Sequence, residues 1–140
     1  NWEHPDPAGV LGMLPPVEGV DPRVARRTIA KLFTEWQWGR VWGWDFPWMA
    51  MGAARTGQPE IAIEMLLHPS TRNTYDARGV NAGSNPCPYL PGNGGLLYAV
   101  GLMVGGWDGC PAVDRSRGEA PGFPGNGQWV VRCEGFAVVP

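Results

Sequence analysis

Apolar residues first recur at helical spacing in an early stretch of the chain. Val24, Ile29, Leu32, Phe33 and Trp36 alternate there with Arg23, Arg26, Arg27 and Glu35, the pattern of a helix with one solvated face. Asp21-Pro22 stands just before it: an aspartate can accept from the unpaired N–H groups of a first turn, and a proline there sacrifices no hydrogen bond. The pattern predicts a helix from this pair to about Trp36. A second run, Trp48 to Arg55, is rich in Ala and Met, with Pro47 placed to open it and Thr56-Gly57-Gln58 to stop it. Pro59-Glu60 opens a third, Ile61 to Leu67, and the short connection predicts an antiparallel helical hairpin. A fourth, Leu96 to Val104, follows Gly92-Asn93-Gly94-Gly95 and reads as a buried helix that Gly101 weakens.

Between these runs the pattern breaks. Residues 1–20 are punctuated by Pro and Gly around an apolar centre, Val10 to Leu14, and Pro15-Pro16 ends that segment. Residues 68–92 form a long polar loop carrying Asn73, Tyr75, Asn81, Asn85 and Tyr89; loops of this length in compact proteins are functional or disordered. Trp107-Asp108-Gly109 is a turn, and 111–127 is a loop of Pro, Gly and Arg. Gln128 to Arg132 and Phe136 to Val139 predict two short strands with Gly135 between them. No short-period repeat occurs, but a loop rich in Gly and aromatics twice feeds an apolar helix, before Trp48 and before Leu96. The fold class expected is mainly α, with helical hairpins, long Gly/Pro loops and a short C-terminal β-hairpin.

Composition refines this picture. Glycine (21 residues) and proline (15) approach the level of disordered chains, yet eight tryptophans require apolar surface to bury them. The net charge of -2 gives no electrostatic basis for nucleic-acid binding. No apolar run reaches the roughly 18 residues of a membrane helix. Asn1 reads as a processed or truncated end. Cys87, Cys110 and Cys133 cannot all pair internally and form no C-x-x-C motif; with only His4 and His68 beside them they make no metal-ligand set. No cofactor is indicated.

The strongest candidate chemistry is Trp42-Gly43-Trp44-Asp45-Phe46-Pro47-Trp48, with Trp36 and Trp38 upstream: five tryptophans within thirteen residues. Flat indole faces beside polar groups suit the C–H faces and hydroxyls of sugars, whereas packing alone would make the same rings an aromatic core. Asp45 reads either as a helix N-cap or as a carboxylate whose desolvation tunes it for acid–base work. Glycoside cleavage ordinarily takes two carboxylates; Glu3, Asp45, Asp76, Asp108 and Glu134 are the candidates. No Ser-His-Asp order, P-loop or HExxH motif occurs. Gly92-Asn93-Gly94-Gly95 before a helix offers backbone N–H groups to an anion, or simply a turn.

The order of several blocks resembles a known family. These are His4-Pro5, Val10-Leu11-Gly12-Met13-Leu14-Pro15, Trp42 to Pro47, Ala53 to Glu60, Asn73-Thr74-Tyr75, Tyr89 to Gly95, Gly106-Trp107-Asp108-Gly109 and Val131 to Gly135. Together they resemble the C-terminal part of bacterial six-hairpin, (α/α)6-toroid glycosidases related to glycoside hydrolase families 65 and 95. The resemblance implies that 1–140 is the C-terminal portion of one such domain, with a leading loop over 1–20, helical hairpins and loops over 21–110, and a tail over 111–140. It implies an inverting hydrolase of oligosaccharides, with Asp45 as base or water-orienting carboxylate. Trp42, Trp44 and Trp48 would be sugar platforms, and His4, Tyr89 and Asn93 would bind hydroxyls. It also implies a general acid upstream of this chain, toroid helices supplied by other polypeptide or by self-association, and it is compatible with an extracellular or periplasmic site. One departure stands out: Pro91 occupies the place of the aspartate that family 95 fucosidases carry before Gly-Asn. A non-catalytic carbohydrate-binding module and a purely structural helical segment are the alternatives.

Overall fold

A computed structural model describes residues 3–135. It is mainly helical: α1 spans Pro22–Glu35, α2 Asp45–Arg55, α3 Pro59–Leu66 and α4 Leu90–Gly105, with short 3-10 turns at Asp6–Val10, Thr71–Asn73 and Arg115–Arg117. None of these helices is long and apolar enough to cross a membrane.

α1 forms as its local signals dictate. The Asp21 carboxylate accepts from the Arg23 N–H at 2.8 Å, and Pro22 occupies the first turn. Ile29 and Leu32 face inward while the arginines stay exposed. The chain leaves the helix at Trp36, whose indole N–H donates to the Glu3 carbonyl at 2.8 Å and so ties the leading segment down.

α2 begins at Asp45, ahead of the expected Trp48, and nearly all of it is buried. Asp45 is therefore in the first turn and is not the N-cap; its carboxylate takes an N–H from Trp42, on the upstream side. Small residues let neighbours approach α2 closely: a Cβ on Gly52 would lie 2.8 Å from both the Ala8 carbonyl oxygen and Ile29 Cδ1. α3 follows after Thr56-Gly57-Gln58 and packs on α2. The Arg26 guanidinium and the Gln58 amide stitch that connection to α1.

α4 begins at Leu90, so the glycines expected to form a preceding loop are helical, and they offer no separate anion cradle. Packing overrides their poor intrinsic propensity: a Cβ on Gly92 would meet the Asn81 amide at 2.8 Å, and one on Gly95 would meet Pro47 at 2.8 Å. The core lies where α2, α3 and α4 converge, around Phe46, Met49, Met51, Met65, Leu102 and Met103, all fully buried.

The expected strand Gln128–Arg132 does not form. A strand needs a partner ladder, and this segment, largely exposed, makes one backbone bond, from the Val131 N–H to the Gly118 carbonyl at 2.7 Å. Its proposed partner, Phe136–Val139, lies outside the described residues. An isolated antiparallel bridge joins Tyr75 to Asn81.

Candidate functional site

The Asp45 carboxylate has no solvent exposure. One oxygen lies 2.9 Å from His4 Nδ1; the other is 3.2 Å from the same nitrogen and accepts the Trp42 backbone N–H at 2.7 Å. Burial pushes the carboxyl above its ordinary value, against the opposing pull of His4 and the Trp42 N–H; the charge of Asp6 adds slightly to the rise. Asp6 sits on the 3-10 turn that follows His4, and it is the carboxylate the sequence reading passed over.

Three rings frame this pair. His4 stands edge-on to Trp44, with centroids 5.2 Å apart at 87°, and tilted against Trp42 at 6.2 Å. Trp42 in turn packs on Tyr89 at 5.7 Å. The His4 side chain is 37% exposed and Trp42 44%, so these two present the site to solvent. Tyr89 is mostly buried; its phenol is pushed up by desolvation and then by the Asp45 charge. The Trp44 indole N–H lies 3.3 Å from His4 Nδ1.

Two expected site residues make contacts within the scaffold. Trp48 contacts Trp44 at 5.2 Å, but its half-buried ring lies against Gly9, where a Cβ would come within 2.5 Å of the indole. It is a wedge between the leading segment and α2. Asn93 accepts from the Asn81 N–H at 2.9 Å and donates to the Gly79 carbonyl at 2.6 Å, so it clamps the 76–81 loop onto α4. The structure thus brings His4, Trp42, Trp44, Asp45 and Tyr89 together, sets Trp48 behind Trp44 and against Gly9, and engages Asn93 with the 76–81 loop.

The other candidate carboxylates are elsewhere. Asp76 bonds Arg78 at 2.7 Å and the Val80 N–H at 3.0 Å, closing its own loop. Glu3, Asp108 and Glu134 are exposed. Among the described residues no group of three His, Cys, Asp or Glu side chains could hold a metal ion. A cleft of about 620 Å³ lies beyond the end of α4, lined by Arg115, Arg117 and Arg132, and His4, Trp42 and Asp45 do not line it.

Comparison with known proteins gives no relative: no family profile, no curated protein and no solved structure matches the chain.

Proposed function

We propose that the face formed by His4 and Trp42, with Tyr89 packed behind Trp42, contacts an oligosaccharide, and that the chain is the C-terminal part of an (α/α)6-toroid glycoside hydrolase. The observation that carries the sugar-contacting role is Trp42: a large indole left 44% exposed beside a half-exposed imidazole and a buried carboxylate. Leaving such a ring in water forgoes burial free energy of about 2–3 kcal/mol, and an indole face beside hydrogen-bonding groups is what a sugar ring stacks on. The toroid reading draws support from α4, which is apolar on every side. Leu90 is 65% exposed, Leu97 74% and Val100 38%, as expected of a helix whose outer face meets further helices. The inverting mechanism, and a general acid outside this chain, follow from the family resemblance in the order of motifs.

The sealing of Asp45 favours one alternative, a non-catalytic binding surface, because that carboxylate has no exposure and Asp6 is the other carboxylate whose charge bears on it. Calorimetric titration of maltotriose, cellotriose, xylotriose and a fucosylated lactose tests both. At least one sugar should bind the wild type, and Trp42→Ala should weaken it about tenfold or more, the loss of about 1.4 kcal/mol. Trp48→Ala should act through stability. Equal affinity in Trp42→Ala would remove this face from the binding role. Released monosaccharide would favour the hydrolase over the binding module.

A further inference from the structure

We infer that His4, and not Asp45, is the group that meets the ligand, as a hydrogen-bond acceptor through Nε2, and that Asp45 is the positioning residue that fixes the required tautomer. This rests on the carbohydrate reading of the face. A carboxylate with no exposure cannot touch a sugar hydroxyl or a sugar-bound water, whereas His4 is 37% exposed.

Proton arithmetic then sets the ring. An ionised carboxylate only accepts. Asp45 already takes the Trp42 N–H at 2.7 Å, so its 2.9 Å contact with His4 places a proton on Nδ1. A nitrogen that donates cannot also accept from Trp44, and the Trp44 indole is the more distant partner at 3.3 Å. The shorter, charge-assisted bond decides. The indole and imidazole then meet as an edge-on aromatic pair.

In a neutral imidazole with its proton on Nδ1, Nε2 carries a lone pair. Nε2 has no hydrogen-bond partner among the described residues. Two further ionisable groups bear on the Asp45 carboxylate, Asp6 and the Tyr89 phenol. Neither supplies a positive charge to compete with His4 for it. A free lone pair on Nε2 accepts from a hydroxyl, so the ligand class is a sugar that offers one.

The test separates tautomer from ligand. Nitrogen-15 spectra of the imidazole in the full chain, at slightly alkaline pH, should show a protonated Nδ1 and an unprotonated Nε2. Asp45→Asn should mix the tautomers, because its amide nitrogen offers a donor where a donor already points. His4→Asn keeps a donor near the Nδ1 position and removes the Nε2 acceptor. It should melt close to wild type and lose affinity for the sugar probes above by about tenfold or more. A protonated Nε2 in the wild type would overturn the inference, whatever binds. The Nδ1 tautomer together with full affinity in His4→Asn, for a sugar that Trp42→Ala no longer binds, would also overturn it while leaving the carbohydrate reading intact. If no probe binds, the carbohydrate reading falls and the ligand role of His4 falls with it; the tautomer result still stands on its own.

Discussion

Burial makes Asp45 and His68 respond to pH with opposite signs. Asp45 is raised above 3.8 because its charged form is desolvated. Its contribution to stability is full below the unfolded value and is lost as pH rises through the higher folded value. The His68 imidazole is lowered from 6.5 by burial, and its Nδ1 accepts the Ser70 N–H at 3.2 Å. Neutral His68 costs nothing above pH 6.5, and stability is lost as pH falls below that value, because the unfolded chain takes up the proton more readily. Denaturant melts of wild type and His68→Gln across this range should therefore diverge, with wild type losing relative stability as pH falls. Parallel curves would mean that His68 is as well solvated in the folded protein as in the unfolded chain. From the sequence, the rings around Asp45 were legible as a cluster. That Asp45 is sealed, and bonded to a histidine 41 residues away, was not, because no local pattern encodes a contact of that span.

The four helices show where local signals suffice. α1 carries its own cap, its proline and its periodicity, so it appears where the pattern puts it. α2 and α4 begin earlier than expected because their first turns are held by tertiary contacts. In α4 these outweigh a glycine cost of about 1 kcal/mol per residue. The connecting loops are equally dependent on close approach. Gly83 has the chain packed so tightly on it that a Cβ would lie 1.5 Å from the Thr71 carbonyl oxygen, whereas a Cβ on Gly39 would meet nothing within 4 Å. Equilibrium unfolding should show Gly83→Ala destabilised by about 3 kcal/mol or more and Gly39→Ala within about 0.5 kcal/mol of wild type. Similar values for the two would mean that the 68–89 loop does not hold this packing in solution.

Across the whole molecule, one buried cluster joins α1, α2, α3 and α4 to the leading segment through Ala8 and to the turn after α4 through Trp107. This connectivity predicts a cooperative melt with a strong near-ultraviolet signal, since Trp38 and Trp107 are each only 6% exposed. Two leucines of α4 report on its two faces. Leu102→Ala should cost about 2–5 kcal/mol, as a buried leucine does, while Leu97→Ala, at a position 74% exposed, should change stability by no more than about 0.5 kcal/mol. A large loss at Leu97 would mean that the outer face of α4 is covered in solution. In that case the melting temperature should also rise with protein concentration if a second copy is what covers it.

The sequence by itself determined the mainly helical class, the limits of α1, the existence of four helices and the aromatic cluster around Asp45, because caps, prolines and apolar spacing act within a few residues. Only the tertiary structure decided that Gln128–Arg132 is not a strand, that the glycines after Tyr89 are helical, that Trp48 and Asn93 hold the scaffold, and that His4 closes on Asp45. Each of these depends on a partner distant in the chain. A strand requires an edge to pair with, a glycine-rich helix requires neighbours that only glycine can admit, and a sealed carboxylate requires a donor brought to it by the fold.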